Sequence, residues 1–332
     1  MPRSRSRLSP NLSSRIPERG ARVGGKIPPV PRTGVQRRVF PLPPSQVSAA
    51  KNWVTFGSRT PRKARRASSV CLVRDDNDGL QTYLSYRAGE SPLGTVAFPG
   101  GSVEADDFSE LQWFGPSLGA WSAKMGVLDQ RLVRSHVVCA IRELFEETGI
   151  LLAGADEQTV AEAGEPEEWM AAREAIAGQD LQFSSFLARR GLGVRTDLLR
   201  PVAHWVSPNF ALRRFDTWYF SAAVPQGQSA SLLRAKGRWA QWCNAREVIA
   251  QRHGSWLGDL VDQPDTRELP FSQITYPAVE MIMEQLAESN GAIAYLARLR
   301  SLQAQHPNLL EREERYLLEV VTSDDGDLDD WR

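Results

Sequence analysis

The sequence predicts an α/β or α+β protein, and two observations support this prediction. Residues 68–74 and 80–86 have the composition of β-strands and flank a turn at 75–79 that is rich in Asp, Asn and Gly. Apolar residues recur with helical spacing over 135–148, where Ser135 can cap the helix and Gly149 can end it. Weaker patterns predict further strands at 150–152, 200–206, 217–224 and 238–243, and further helices at 167–177, 181–190, 245–252, 276–289, 292–305 and 309–321.

The charge of the chain is divided unevenly between its two parts. Lys+Arg and Asp+Glu both number 40, but residues 1–66 hold 16 basic residues and one acid, Glu18, which leaves 24 basic and 39 acidic residues for 67–332. Residues 1–66 also contain ten of the 21 prolines. This composition predicts a disordered basic arm, and a nucleic-acid-binding arm, a transit peptide or a functionless extension all remain open.

Composition excludes several protein classes. The chain has 332 residues, is 42% hydrophobic and lacks an apolar run long enough to span a membrane. Its three cysteines, Cys71, Cys139 and Cys243, form no C-x-x-C pair, so we expect buried thiols in a reducing cytoplasm and neither a disulfide framework nor a zinc ribbon.

The 135–148 helix carries an unusual concentration of charge. Arg142, Glu143, Glu146 and Glu147 fall on the face opposite the apolar stripe. The three carboxylates repel one another at these spacings, and two of them lie in the last turn, where the helix dipole disfavours anions. A divalent cation would reverse the sign of each of these effects, whereas the alternative is an ordinary solvated acidic face. The stripe consists of Val137, Val138, Ile141, Leu144 and Phe145.

The sequence around this helix resembles the Nudix box. In that pattern a Gly is followed, after five residues, by a Glu and, after seven more, by Arg-Glu-apolar-x-Glu-Glu-x-Gly-apolar. Gly101 matches the first position, and RELFEETGI, starting at Arg142, matches all seven specified positions of the second half. Asp107 stands where the pattern has its first Glu, and 34 residues rather than seven separate it from Arg142, which corresponds to an insertion of 27 at about 108–134.

The interrupted box resembles the Nudix branch that contains peroxisomal coenzyme A diphosphatases. The segments TYLSYRAGESPLGTVAFPGG and HWVSPNFALRRFDTWYF carry this resemblance, although Glu90 stands where bacterial-type coenzyme A pyrophosphatases have an Arg. The resemblance implies an α/β/α sandwich with a mixed sheet over 67–290. We expect residues 291–332 to add C-terminal helices and an acidic tail.

By this resemblance, the protein hydrolyses the diphosphate linkage of a nucleoside diphosphate derivative, with coenzyme A or an acyl-CoA as candidate substrates. Glu143, Glu146, Glu147 and the Gly101 carbonyl would hold Mg²⁺ or Mn²⁺, and Arg142 would orient the carboxylates. The general base would be one of these glutamates or a downstream acid, for which Asp216 and Glu247 are candidates. The residues that would bind substrate are Arg87, Arg214 and Asp216, while Trp205 and Trp218 fit either an adenine stack or the core.

Two alternatives remain at this point. The substrate could instead be ADP-ribose, a dinucleotide or a damaged nucleotide, or the protein could be a Nudix-fold ligand sensor or nucleic-acid binder. The intact carboxylates argue against a sensor that has lost activity. We expect a small nucleotide as partner, neither a membrane nor a nucleic acid, and leave the oligomeric state open, with a homodimer as one option.

Overall fold

The computed structural model describes residues 35–57, 60–88, 94–162, 164–233, 237–313 and 315–323. The helices in these ranges are α1 (Val47–Thr55), α2 (Leu118–Met125), α3 (Gln130–Thr148), α4 (Pro166–Ala177), α5 (Phe183–Arg189), α6 (Ala245–Ala250), α7 (Trp256–Val261), α8 (Phe271–Ile274), α9 (Pro277–Glu288) and α10 (Ala292–Ala297). The strands are β1 (Val35–Pro41), β2 (Arg65–Asp76), β3 (Gly79–Tyr86), β4 (Val96–Ala97), β5 (Gly100–Ser102), β6 (Trp113–Phe114), β7 (Ala153–Gly154), β8 (Gly193–Arg195), β9 (Arg200–Val206), β10 (Phe215–Ala223), β11 (Ala240–Asn244), β12 (Ala304–Gln305), β13 (Asn308–Arg312) and β14 (Arg315–Ser323). No helix among the described residues is long and apolar enough to cross a membrane.

A mixed sheet forms the middle layer of the molecule. Its strand order is β11-β3-β2-β10-β9-β12, with β4 beside β3 and β5 beside β2. The β2–β10 and β9–β12 pairs are parallel, and the other pairs in this sheet are antiparallel. The expected mixed sheet is therefore confirmed.

Each face of this sheet packs against its own hydrophobic cluster. Successive side chains of a strand point to opposite faces, and along β2 Val70 and Leu72 belong to one cluster while Cys71 and Val73 belong to the other. The first face is covered by α3 with α2, α4 and α5, and the second by α9 with α6 and α7. The result is the expected α/β/α sandwich, with α9 and α10 as additional C-terminal helices.

The segment between the two halves of the interrupted box is a small folded unit. It contains β6 and α2, and Trp121 of α2 is completely buried in the same cluster as α3. Its last residues form the start of α3, because Asp129, not Ser135, caps that helix by accepting hydrogen bonds from the amides of Arg131 and Leu132.

The prediction of a disordered arm over 1–66 is wrong for residues 35–57 and 60–66. Strand β1 pairs with β14 along its whole length, α1 follows, and β2 begins at Arg65. Phe40 and Leu42 enter the second cluster, so this segment buries apolar surface only with the help of distant residues that composition does not reveal. Residues 1–34 and 58–59 lie outside the described residues.

The C-terminal region also differs from its prediction. Residues 309–321, expected to be helical, lie in the antiparallel pair of β13 and β14, where Leu318 and Val320 are buried on one face in strand alternation. The helix expected at 292–305 ends at Ala297, and 150–152 is buried without forming a strand. The residues after 323, including most of the acidic tail, lie outside the described residues.

Candidate functional site

Helix α3 positions the charged residues of the site. Its apolar stripe, predicted from the sequence, is buried in the first-face cluster, which fixes the rotation of the helix about its axis. Arg142, Glu143, Glu146 and Glu147 therefore lie together on the other side, in the last two turns. Gly149 ends the helix in the left-handed region, with φ of 78°, as the sequence predicts.

Arg142 is the buried centre of this group. Its side chain is 2% exposed and donates Nε to Asp107 Oδ1 at 2.9 Å and Nη2 to Asp107 Oδ2 at 3.0 Å. Its Nη1 donates to Glu143 Oε1 at 2.9 Å and to Glu146 Oε1 at 2.8 Å, and Nη2 also donates to the Ser102 carbonyl. Arg142 thus holds two of the three glutamates, and Asp107 holds Arg142.

Arg87 contacts the third glutamate. Its Nη2 lies 2.9 Å from Glu147 Oε2, 2.6 Å from the Gly100 carbonyl and 3.2 Å from the Phe98 carbonyl. The Gly100 amide donates to the same Glu147 oxygen at 3.3 Å. Arg87 is therefore anchored on the FPGG loop beside the carboxylates.

Position 101 must be a glycine because Glu143 lies against it. A Cβ atom at Gly101 would lie 2.3 Å from Glu143 Oε1, closer than non-bonded atoms approach. The backbone of β5 and the carboxylate of α3 can meet only because this position lacks a side chain.

The surroundings of Glu143 disfavour the ionised form of its carboxyl group. Burial raises the pKa of Glu143 to about 8, and the charges of Glu146 and Glu147 add to this effect while Arg142 opposes it. Although burial lowers the pKa of Arg142, its bond to Asp107 and the charge of Glu143 raise it above the ordinary value. The group therefore attracts further positive charge.

Two side chains of α4 hold the end of α3. Arg173 Nε donates to the Glu146 carbonyl at 3.0 Å, and Trp169 Nε1 donates to the Gly149 carbonyl at 3.0 Å. The last turn of α3 has no basic residue of its own, so Arg173 supplies the cation that the helix dipole favours there. The sequence analysis did not predict a role for Arg173. The one indication in the sequence was that the last turn of α3 has no basic residue of its own.

A cavity of about 140 Å³ lies beside these residues. Its lining includes acidic residues, here called the acidic wall, and apolar residues, called the apolar wall. Glu104, which sequence reasoning also missed, belongs to the acidic wall. Glu104 Oε1 lies 3.9 Å from Arg142 Nη1 and accepts from Gln179. The lining residues are Ser85, Tyr86, Arg87, Glu104, Glu143, Glu146, Glu147, Ala177, Leu232, Leu233 and Gly237.

The structure does not bring every predicted residue to this cavity. Arg214 donates to the carbonyls of Ser207 and Arg62, and Asp216 pairs with His204 at 2.6 Å, so neither lines the cavity. Glu247 lines a different groove. Trp205 and Trp218 are 3% and 2% exposed, which identifies them as core residues rather than adenine-stacking surfaces.

The donor atoms of the site fit a hard divalent cation, because they are carboxylate and carbonyl oxygens. In the arrangement described, however, no three His, Cys, Asp or Glu side chains of the described residues surround a position for a metal ion. Arg142 and Arg87 occupy oxygens of all three glutamates instead. Binding a cation would therefore require some of these contacts to be exchanged.

Comparison with solved structures identifies the fold. A NUDIX hydrolase from Alicyclobacillus acidocaldarius matches with a TM-score of 0.55 at 21% identity, over 72% of this chain and 97% of that one. A MutT protein from Bacillus halodurans matches with a TM-score of 0.32 at 13% identity, over 78% and 97% of the two chains, and carries no further conclusion. The first of these matches shows that the chain has the fold of a NUDIX hydrolase.

Sequence comparison adds a particular relative. The chain is 29% identical over 221 residues to the acyl-coenzyme A diphosphatase NUDT19 of Xenopus laevis. The match covers 55% of this chain and 57% of that protein, so the chain spans little more than half the length of the curated relative it matches. No family model matches the chain.

Proposed function

We propose that this protein is a metal-dependent hydrolase that cleaves the diphosphate linkage of a nucleoside diphosphate derivative. The observation that carries the proposal is the convergence of Glu143, Glu146 and Glu147 with Arg87 and Arg142 beside one cavity. Three carboxylates that repel one another and two cations suit a substrate of dense negative charge together with a divalent metal.

Glu143, Glu146, Glu147 and the Gly101 carbonyl are the residues that would hold Mg²⁺ or Mn²⁺. When bound there, such a cation supplies Lewis-acid stabilisation to the diphosphate and lowers the pKa of the attacking water. The raised pKa of Glu143 supports this assignment, because a buried carboxylate beside two other carboxylates gains most from a cation.

Arg142 would keep two of these carboxylates in place. Its guanidinium is buried and bound at both ends, by Asp107 on one side and by Glu143 and Glu146 on the other. A side chain held in this way cannot reach a substrate, so its role is to orient the glutamates and limit their repulsion.

Arg87 would contact the substrate. It lines the cavity and its side chain is 19% exposed, unlike Arg142. A guanidinium at this position matches the geometry of a phosphate group and would orient it above the carboxylates. Arg214 and Asp216, the other substrate-binding candidates, have no place in this scheme because they lie outside the cavity wall.

The general base would be one of the acids that line the cavity. Glu104 joins the three helix glutamates as a candidate, and its side chain is 34% exposed, so it can reach a water molecule. Asp216 and Glu247 are less suitable, because the first is paired with His204 and the second lies in another groove.

Coenzyme A or an acyl-CoA is the substrate we favour. The support is the sequence similarity to an acyl-coenzyme A diphosphatase, together with the apolar wall formed by Ala177, Leu232 and Leu233 in the same cavity. A diphosphate joined to an apolar arm would contact both walls.

The test is a panel of hydrolysis assays on the full chain with Mg²⁺ or Mn²⁺. The substrates are coenzyme A, butyryl-CoA, ADP-ribose and diadenosine polyphosphates, with products identified by chromatography. We expect metal-dependent cleavage at the diphosphate and the highest kcat/KM with one of the coenzyme A compounds. Highest kcat/KM with ADP-ribose or a dinucleotide would keep the hydrolase and change its substrate. Tight nucleotide binding without turnover would replace the hydrolase with a ligand sensor.

A further inference from the structure

Arg173 is a buried cation that joins two walls of the cavity. Its side chain is 1% exposed, and its three nitrogens donate to different acceptors. Nε binds the Glu146 carbonyl at 3.0 Å, Nη1 binds Ser231 Oγ at 2.8 Å, and Nη2 binds the Ser231 carbonyl at 2.8 Å. One guanidinium therefore connects the end of α3 to the chain segment at Ser231.

Ser231 is also bound directly to α3. Its amide donates to the Thr148 carbonyl at 2.8 Å, so helix and segment share two independent connections. The next two residues, Leu232 and Leu233, form the apolar wall of the cavity. Leu232 packs so closely against Gly237 that a Cβ there would lie 2.1 Å from Leu232 Cδ1. Ser231 thus links the residues of the apolar wall that follow it to the end of α3.

Burial of the Arg173 guanidinium is energetically unfavourable, which indicates a specific role for this side chain. Removing a guanidinium from water is unfavourable, and Arg173 is almost completely buried. Its hydrogen bonds recover part of that cost. A Leu or Met would fill the same space in the cluster around α4 without this desolvation cost, so packing alone does not account for an arginine.

We propose that Arg173 is a positioning residue that sets the distance between the acidic wall on α3 and the apolar wall at Leu232 and Leu233. In this role it decides which substrates fit, without touching the reacting atoms. The proposal rests on the proposed function for its substrate, a diphosphate with an attached apolar arm, but the connection it describes exists in the protein alone.

The experiment compares Arg173→Met, Arg173→Lys and Ser231→Ala with the parent chain. Arg189→Met is the matched control, because Arg189 is an exposed arginine in the last turn of α5. Two readouts are needed. The first is kcat and KM for butyryl-CoA, measured well below the melting temperature. The second, taken without metal or substrate, is hydrogen exchange at the amides of residues 231 and 232.

We expect Arg173→Met to raise KM about tenfold, the equivalent of one charged hydrogen bond, while kcat changes less than about threefold because Arg142 still holds the glutamates. Exchange at residue 231 should accelerate by a similar factor. Arg173→Lys should recover part of both effects, and Ser231→Ala should show a smaller change in the same direction.

A merely structural role would give a different result. In that case kcat would fall with the folded fraction, KM would stay constant, and exchange at 231 would follow global unfolding, which would overturn the proposal. Unchanged exchange in Arg173→Met would overturn it as well. If the parent chain cleaves no diphosphate, the proposed function fails, whereas the exchange data still decide whether Arg173 holds the segment.

Discussion

Asp107 and Arg142 form a two-point ion pair across 35 positions of sequence, with both bonds between 2.9 and 3.0 Å. Asp107 is completely buried, and the folded segment with α2 lies between the two residues in the chain. The insertion therefore separates the pair in sequence without separating it in space. Asp107 is thus linked to Glu143 and Glu146 through Arg142, which donates to both glutamates.

We expect Asp107→Asn to destabilise the protein by about 3 kcal/mol, because removing one member of a buried ion pair leaves its partner poorly compensated. Activity per folded molecule should also fall, since Arg142 can then shift relative to Glu143 and Glu146. Urea unfolding and hydrolysis assays measure the two effects. Glu157→Gln, at an exposed position, is the control and should change neither. Equal stability of Asp107→Asn and the parent would show that the pair contributes nothing.

Glu147→Gln should abolish or severely reduce hydrolysis while leaving the metal-free protein as stable as the parent or slightly more so. The reason is that removing one of three crowded carboxylates relieves about 0.3 kcal/mol of repulsion. The amide oxygen of the glutamine can still accept from Arg87 and from the Gly100 amide. The parent should gain stability in millimolar Mg²⁺ or Mn²⁺ by mass action, and the variant much less. Melting curves with and without metal measure this difference.

Glu167→Gln provides the comparison for that experiment, because Glu167 lies exposed in the first turn of α4. It should retain full activity and full stabilisation by metal. If Glu147→Gln is as active as the parent, or gains as much from metal, the assignment of α3 as a metal-binding helix is wrong.

Acid should destabilise the protein through His136. Burial lowers the pKa of this histidine to about 4, with smaller effects from Asp216, His204 and Arg66. In the unfolded chain the pKa is about 6.5, so between pH 6.5 and 4 the unfolded state binds more protons than the folded one. The contribution of His136 is therefore complete above pH 6.5 and is lost as the pH falls toward 4, by up to about 3 kcal/mol.

Asparagine at this position tests the effect, since an amide can still donate to the Ala67 carbonyl that His136 Nδ1 contacts. In His136→Asn, the loss of melting temperature between pH 6.5 and 4.5 should shrink. His306→Asn, at an exposed position, should leave that loss as it is in the parent. An identical pH dependence in His136→Asn and the parent would mean that other groups cause the acid sensitivity.

The N-terminal segment should matter for stability from residue 35 onward. Removing residues 1–57 deletes β1 and α1 and leaves the buried Leu318 and Val320 of β14 without their cover. Loss of Phe40 and Leu42 alone costs about 4 kcal/mol of burial, or roughly 10 °C in Tm. Removing residues 1–34 is the comparison and should change Tm little. Equal melting temperatures for the two truncated proteins would contradict the role of β1.

The carboxylate helix could be predicted from the sequence because its information is local. The apolar stripe, the ending glycine and the charges on the opposite face lie within 15 residues, and helical geometry alone brings Glu143, Glu146 and Glu147 together. The longer strands of the central sheet, β2, β3, β9, β10 and β11, were predicted for the same reason, whereas the short β4, β5 and β12 were not. The apolar runs and turn residues of the longer strands are contiguous in the chain.

What the sequence could not reveal is which distant residues complete each element. Phe40 gains its burial through β14, Glu146 is held by an arginine of α4, and Glu104 reaches the cavity from the loop after β5. Leu318 shows the limit of periodicity itself, since a short apolar run fits a helix or a strand until its pairing partner is known. Each of these depends on contacts between residues far apart in sequence.

The pairing of β1 with β14 has a consequence for folding of the chain during its synthesis on the ribosome. Strand β1 is synthesised before the central sheet, and the strand that hydrogen-bonds to it follows only after that sheet has been made. At ordinary translation rates this delay is roughly half a minute. During that time the exposed edge and the side chains of Phe40 and Leu42 are open to other nascent chains and to chaperones. Pairing of β14 therefore acts as a closing step, after which β1 and β14 protect each other's edges.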